Sequence, residues 1–271
     1  MKKMDKIKGD DLTLVFLRNN IYSKKSQISI FIILGILILV VLILLFSRDT
    51  RFSNIFNAKS PYQEIEECMQ NSVREGLNIL ISQGGVIEPR NYFLYDGKKI
   101  DYICYSENDY DKCVMQKPII INTIKEELEK YSKKEVKGCL DSVKNNLEKK
   151  GYTISMKEPE IEIEIVPKNI LVDMNIDLRI QKNSVESYNH IKTGIKSEIY
   201  NLALVASSIS QWEARYGDSE TLNYMLNYPS LKVEKKKQSE GTTIYILTDR
   251  NSNEKFYFAS RSIAIPAGLV K

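Results

Sequence analysis

Histidine is almost absent from this chain, which has one, His190, among 271 residues. Histidine is the commonest metal ligand and general base, so this scarcity argues against histidine-rich metal sites. A Ser-His-Asp triad would have to use His190, yet no Gly-x-Ser-x-Gly turn presents a nucleophile. The phosphate-binding motifs Gly-x-x-x-x-Gly-Lys-Ser/Thr and Gly-x-Gly-x-x-Gly are also missing. These absences argue against an enzyme and indicate no cofactor.

The longest apolar run extends from Ile28 to Phe46 and reads ISIFIILGILILVVLILLF. At about 1.5 Å of rise per residue, a helix of this length matches the hydrocarbon thickness of a bilayer. A cleaved secretory signal has a shorter apolar region followed by small residues, whereas Ser-Arg-Asp follows here at positions 47–49. We therefore predict a retained transmembrane helix over residues 28–47, with the lipid bilayer as its first partner.

The net charge of +4 is concentrated before this run. Residues 1–27 contain three acidic and seven basic side chains, the latter being Lys2, Lys3, Lys6, Lys8, Arg18, Lys24 and Lys25. The chain after the run has equal numbers of acidic and basic residues. Because positive residues collect on the cytoplasmic side, we predict a basic cytoplasmic tail over 1–27 and an extracytoplasmic position for 48–271. The charge thus reports topology in the cytoplasmic membrane and predicts no nucleic-acid partner.

The start of the apolar run resembles a known signal. Lys25 and Ser26 precede Gln27, and a serine follows two positions later before the hydrophobic stretch. This order is similar to the class III signals of archaeal prepilins, in which a basic residue and glycine precede Gln-x-Ser-x-Glu. Here Ser26 stands in place of the glycine and Phe31 in place of the glutamate. The resemblance covers about ten residues; it implies an archaeal membrane-anchored surface protein, and a processing site between Ser26 and Gln27.

Beyond a linker over 48–60, the pattern predicts one α+β extracytoplasmic domain over 61–271, with a possible subdivision near residue 151. Apolar residues at helical spacing predict helices from Pro61 to the glycines at 84 and 85, over 118–150, over 184–215 and over 219–227, the third with Trp212 on its core face. Strict alternation predicts an antiparallel hairpin over 161–165 and 170–180, and further strands near 231–237, 242–249 and 255–263. The expected architecture is a helix pair, an antiparallel sheet and a long helix.

All four cysteines lie in this predicted outer domain, at Cys68, Cys104, Cys113 and Cys139. An even number of cysteines outside the cytoplasm favours two disulfides. Of the three possible pairings we prefer Cys68–Cys139, which would join two helices, together with Cys104–Cys113, which would close a polar loop. A zinc site would need closer spacing such as Cys-x-x-Cys, so no metal is predicted; four buried free thiols are the alternative.

The segment over 86–116 is rich in tyrosine, asparagine, aspartate and glycine. We expect a long loop there, with short strands near 92–95 and 100–104. Its tyrosines offer large amphipathic contacts for recognition; they are Tyr92, Tyr95, Tyr102, Tyr105 and Tyr110. The alternative is that these rings pack onto the domain beneath them.

Three functions remain open from the sequence. The first is a single-pass, membrane-anchored surface or envelope domain with a non-enzymatic role in binding a protein partner or in structure. The second is a pilin-like filament subunit, whose apolar helix would pack in a filament after cleavage before Gln27. The third is a membrane-anchored hydrolase, which would need a deep pocket with paired acidic side chains.

Overall fold

The computed structural model describes residues 25–48, 59–109 and 111–263, and within the first range the side chains of 30–44. In the sequence order of the described elements, the helices are α1 (Lys25–Arg48), α2 (Pro61–Ser82), α3 (Ile120–Lys149), α4 (Ile199–Tyr216) and α5 (Leu222–Asn227). The strands are β1 (Tyr92–Tyr95), β2 (Lys98–Tyr105), β3 (Val114–Met115), β4 (Thr153–Ser155), β5 (Glu160–Val166), β6 (Asn169–Gln181), β7 (Val185–Lys196), β8 (Leu231–Lys237), β9 (Thr242–Asp249) and β10 (Lys255–Arg261). Helices and sheets both build the fold, as the predicted α+β class requires.

The chain divides into two compact units, one containing α1 and the other beginning at Lys59. The large apolar side chains of 30–44 keep between 44% and 71% of their surface exposed. No helix within the described residues is both long enough and apolar enough to cross a membrane. The predicted tail up to residue 24, most of the predicted linker, and the side chains of Ser26, Gln27, Ile28 and Phe46 lie outside the described residues.

Helix α2 has sequence-encoded ends. The Ser60 hydroxyl accepts a hydrogen bond from the Gln63 backbone N–H at 3.2 Å, and the Gln63 side chain accepts one from the Ser60 N–H at 3.0 Å. This capping box, with Pro61 in the first turn, satisfies donors that the helix cannot bond internally. The chain then turns at Gly84, where φ is +79° and a Cβ would lie 2.8 Å from the Asp101 carbonyl oxygen. Glycine is needed there for both reasons.

The second unit contains two sheets. Sheet I has the order β1-β2-β10-β9-β8, with β3 on β2, and only its β2–β10 pair is parallel among the described pairs. Sheet II is centred on β6, with β4 and β5 along one edge and β7 along the other, all antiparallel.

The strict alternation in β5 and β6 produces the expected hairpin. Ile161, Ile163 and Ile165 are buried and face Met174, Val172 and Ile170 of β6, whereas the intervening glutamates of β5 are exposed. Burial of each isoleucine side chain contributes about 2 kcal/mol. Because the side-chain period of a strand is two, a slip of one residue would place this whole set in water.

One hydrophobic core joins the two sheets and the helices of this unit. It includes Ile65 of α2, Leu128 of α3, Val172 of β6, Ile209 of α4 and Phe258 of β10, and it continues on both sides of residue 151. The structure also contains the two disulfides that we favour from the sequence. Cys68–Cys139 joins α2 to α3, and Cys104–Cys113 joins β2 to the segment before β3, with Cα–Cα distances of 6.0 and 5.3 Å.

The predicted helix over 184–215 is wrong in its first half, where the chain forms β7 and pairs with β6. Ile191 and Ile195 are four residues apart, a spacing that suits one helix face and also one strand face, because four is close to one helical turn and is twice the strand period. The long strand β6 decides between the two, because the unpaired backbone groups along its edge offer β7 a partner. Trp212 lies on α4 but is 50% exposed, so its predicted place in the core is also wrong.

We expect the two disulfides to stabilise the fold unequally. They lie 71 and 9 residues apart in sequence, and a cross-link that closes the longer loop restricts the unfolded chain more. Loss of Cys68–Cys139 by double substitution to alanine should cost roughly 4 kcal/mol, and loss of Cys104–Cys113 roughly 3 kcal/mol. Urea unfolding of the full chain in mild detergent, followed by near-ultraviolet circular dichroism, measures both. Equal midpoints for the wild type and the Cys68→Ala/Cys139→Ala variant would contradict this expectation.

Candidate functional site

The tyrosines proposed for recognition lie mainly on strands and not in a loop. Tyr92 and Tyr95 belong to β1, and Tyr102 and Tyr105 to β2, while Tyr110 lies outside the described residues. The short strands expected near 92–95 and 100–104 are therefore present. Tyr95, Tyr102 and Tyr105 come together in one hydrophobic cluster, whereas Tyr92 is not part of it and is 40% exposed.

This cluster lies on one face of sheet I, which we call the aromatic face. Its floor is aliphatic, made by Ile100, Ile244, Ile246 and Ala259 together with the buried Tyr102, and the side chains packed over it are Phe93, Tyr95, Tyr105 and Tyr257. Every one of these residues belongs to β1, β2, β9 or β10. Within the described ranges, no helix contributes to the cluster. The aromatic face is thus an apolar surface that the sheet covers with its own side chains.

The alternation of side chains shows that this face is opposite the main core. In β9, Tyr245 and Leu247 join the main core, whereas Ile244 and Ile246 join the aromatic face. The face of an antiparallel sheet that contacts water normally carries polar residues. Apolar residues on both faces of sheet I therefore indicate that each face packs against other protein. The helices supply the first contact, and the half-buried rings of the aromatic face leave their edges open for a second.

Cations surround the aromatic face. The Lys98 ammonium lies 5.1 Å from the centre of the Tyr257 ring, a distance at which the ring attracts the charge. Lys232 and Lys236 on β8 and Lys255 on β10 occupy exposed positions in register with the cluster. Glu234 lies between the first two, 3.0 and 3.7 Å from their ammonium groups. These positions leave a positive surplus at the rim.

Arg261, at the end of β10, fastens the chain after β2. Its guanidinium group donates to the carbonyl oxygens of Ser106 at 2.6 Å and Glu107 at 2.8 Å, and to the Asp109 carboxylate at 2.5 Å. With only 16% of its side chain exposed, Arg261 makes these bonds partly out of water, where they are stronger. Together with Cys104–Cys113, it fixes the segment that borders Tyr105.

A buried carboxylate lies beneath the same strands. Glu213 of α4 is 1% exposed and accepts hydrogen bonds from the Tyr245 hydroxyl and from the Ser260 hydroxyl, the latter at 2.9 Å. The Ser262 hydroxyl donates to the Glu213 carbonyl oxygen at 2.9 Å. Burial raises the pKa of Glu213, while the two hydroxyl donors and Lys235 act against this rise. Burial, followed by the nearby Glu213, raises the pKa of Tyr245. These bonds attach α4 to β9 and β10.

The other candidates do not form a catalytic group. The His190 Nδ1 atom lies 2.9 Å from the Asp173 carboxylate, on the exposed face of sheet II. Asp173 also pairs with Lys192 at 2.7 Å, and no serine hydroxyl is among the hydrogen-bond partners of His190 in the described part of the chain. Across the described residues, no group of three or more His, Cys, Asp or Glu side chains is arranged to hold a metal ion.

The sequence interpretation missed several residues of the aromatic face, namely Phe93, Tyr257, Lys98 and the isoleucines of β9. A signal for the isoleucines exists in β9 itself, whose sequence TTIYILTD is apolar at consecutive positions. Such a pattern indicates a strand with two buried faces. Trp212 and Tyr216 give a second exposed aromatic pair, stacked at 4.8 Å on α4.

We expect Glu213 to make stability depend on pH. Its folded-state pKa is raised, so its contribution is complete below the unfolded pKa and is lost as pH rises through the folded value. Stability should therefore fall as pH increases above about 4.5. The Glu213→Gln variant should lack this component, because an amide of the same shape does not ionise. Urea midpoints of both proteins between pH 4 and pH 8 measure the difference.

The Glu213→Ala variant provides the matched control for size. It leaves the Tyr245 and Ser260 hydroxyls buried without their acceptor and should cost about 2–4 kcal/mol at pH 4, with a smaller difference from the wild type as pH rises, because the wild type alone loses the contribution of Glu213. Parallel pH profiles for the wild type and Glu213→Gln would contradict the assignment of the pH dependence to this carboxyl group.

No family model, no curated protein and no solved structure matches the chain.

Proposed function

We propose that this chain is a single-pass membrane-anchored domain, located on the outer side of the cytoplasmic membrane, that binds a protein partner through the aromatic face. The observation that carries this proposal is the second hydrophobic cluster, whose described members all come from the strands of sheet I. Its upper side chains are only half-buried, and apolar surface that the rest of the domain leaves partly uncovered is a feature of interaction sites.

The anchor is supported by the sequence. The apolar run from Ile28 to Phe46 extends at both ends beyond the residues whose side chains the structure describes, 30–44. Helix α1 is continuous over Lys25–Arg48. A helix that exposes apolar side chains all round has no polar face to offer water, and a bilayer is the environment that suits it.

The two disulfides support the outer location. Disulfides persist in oxidising compartments and are rare where glutathione keeps thiols reduced. All four cysteines belong to the unit that begins at Lys59 and all four are paired. The positive tail before the apolar run favours the same orientation.

The chemistry of the aromatic face favours a protein whose contact surface has an acidic rim. Protein interfaces are enriched in tyrosine and phenylalanine at their centre and are polar at their edge. The centre here contains Phe93, Tyr95, Tyr105 and Tyr257, and the edge contains a surplus of lysines. Charges of opposite sign on the partner would orient the approach and accelerate the encounter.

The aromatic face can be tested by site-specific photo-cross-linking. We expect p-benzoylphenylalanine at position 257 or 95 of the full chain, in cells that produce the protein naturally, to give one adduct of constant additional mass. The same amino acid at position 228 is the control, because Tyr228 is 58% exposed but is not part of the cluster. Mass spectrometry of the purified adduct identifies the partner.

Reversal of two rim charges tests the role of the lysines. The Lys98→Glu/Lys255→Glu variant should lower the cross-linking yield about tenfold, corresponding to about 1.4 kcal/mol of binding. Equal adducts at positions 228 and 257, or a yield that is indifferent to the reversal, would contradict the proposal. An adduct of twice the mass of this chain would show that the aromatic face binds a second copy of the chain. A lipid adduct would show that it contacts the membrane.

The anchor is tested by the intact mass of the protein extracted from native membranes. We expect a mass that includes the tail from residue 1 or close to it, because Ser26 and Phe31 depart from the processing pattern. Thiol labelling should give no adduct before reduction and four after it. A mass that begins at Gln27 would favour the pilin-like filament subunit, and four labels without reduction would contradict the outer location.

A further inference from the structure

A cavity of about 540 Å³ lies beside β2. Asp101 and Tyr102 form one wall, and the segments 86–91 and 116–117 form two others. The fourth wall is α3, which presents Glu127, Lys130, Tyr131 and Lys134. These four are spaced i, i+3, i+4 and i+7, so they share one helix face. The volume is within the range of roughly 300–1,000 Å³ that is usual for small-molecule sites.

The carboxylates deep in the cavity already have partners. The Asp101 carboxylate pairs with the Lys117 ammonium, and both side chains are mostly buried, with 7% and 13% of their surface exposed. The Glu127 carboxylate accepts a hydrogen bond from the Ile87 backbone N–H at 3.0 Å. These contacts make the cavity unsuited to a pair of free acidic side chains, as a carboxylate hydrolase would need.

The cations at the mouth of the cavity, unlike these carboxylates, have no partner among the described residues. Arg90, Lys130 and Lys134 line it and are exposed. Throughout residues 59–109 and 111–263, none of the three has an ion-pair partner, although thirteen other ion pairs are formed. The lining also contains Glu88, which is exposed and forms no ion pair within these ranges. The Glu127 carboxylate has no ion-pair partner in these ranges either, so three unpaired cations face the two carboxylates of Glu88 and Glu127, and the lining keeps a surplus of one positive charge.

Lys117 shows that the cavity wall is built at an energetic cost. Burial lowers the pKa of the Lys117 ammonium to about 8, while the nearby Glu127 carboxylate acts in the opposite direction. A buried ion pair often stabilises a fold no better than apolar side chains of the same volume. The Lys117–Asp101 ion pair lies beside a cavity and not within the packed core, and this is the arrangement expected of a binding site.

We propose that this cavity binds a small organic anion, a molecule with a carboxylate or phosphate group and an apolar body. The anionic group would lie between Arg90, Lys130 and Lys134, which can donate charge-assisted hydrogen bonds to it. The apolar body would contact Val86, Ile87 and the ring of Tyr131. This site shares Tyr102 with the floor of the aromatic face, but it does not need the partner proposed for that face.

Isothermal titration of the full chain in mild detergent at pH 7 tests the proposal with defined probes. Benzoate and phenyl phosphate carry the two candidate anions on the same apolar ring, inorganic phosphate lacks the ring, and benzyl alcohol lacks the charge. We expect saturable binding of benzoate, phenyl phosphate or both, and weaker binding of the other two. Preference for benzoate assigns a carboxylate ligand, and preference for phenyl phosphate assigns a phosphate ligand.

The exposed lysines of α3 allow a variant that keeps the fold. Lys130→Glu/Lys134→Glu should weaken binding of the preferred probe at least about tenfold. The matched control is Lys144→Glu/Lys149→Glu, which makes the same charge change on the same helix away from this cavity. Equal losses in both variants, equal affinity for benzyl alcohol, or no saturable binding of any probe at millimolar concentration would overturn the proposal.

Discussion

The buried side chain of Glu213 fixes how α4 lies against the centre of sheet I, where the apolar side chains of α4 also pack. Glu213 accepts from Tyr245 on β9 and from Ser260 on β10, so it joins two adjacent strands to one helix. A buried polar group without partners costs about 1–3 kcal/mol, so only one placement of α4 is favourable. Apolar packing would tolerate a rotation of the helix, whereas these two directed hydrogen bonds do not.

The consequences extend along β10 to the aromatic face. Ser260 is followed by Arg261, whose guanidinium group fixes the segment after β2. The Cys104–Cys113 disulfide closes the same segment, and the Cys113 backbone N–H donates to Ser262 at 3.0 Å. The carboxylate, the guanidinium group and the disulfide thus define the border of Tyr105. A recognition surface held by such contacts loses little conformational entropy on binding.

The parts of the fold that the sequence predicted are those in which neighbouring residues decide the structure. The beginning of α2 at Pro61, its end before Gly84 and the alternating isoleucines of β5 each depend on residues that are a few positions apart. The favoured Cys68–Cys139 pairing also occurs, because each cysteine lies on one of two predicted helices and these helices pack together.

The parts it could not predict depend on contacts between distant residues. β2 pairs with β10 from about 150 positions away, and this parallel pair creates the aromatic face. Tyr257 and Ile244 have no local sign that they will lie beside Tyr102. The sequence predicts a helix in place of β7 because the spacing of Ile191 and Ile195 suits a helix as well as a strand. Only the pairing with β6 selects the strand. The cavity likewise depends on residues from β2, α3 and two connecting segments.

The distribution of charge explains how a neutral domain can recognise charged groups. Acidic and basic residues are equal in number after the apolar run, so the net charge of the domain adds no attraction for an acidic partner, and only local surpluses of charge can steer it. At physiological ionic strength, exposed charges act over about 8 Å. Recognition then depends on cations gathered within that distance of an apolar contact. Lys98 beside Tyr257 and Lys130 beside Tyr131 are both such pairs. The short range makes both surfaces selective, since a ligand gains from the charge only when its apolar part is already in place.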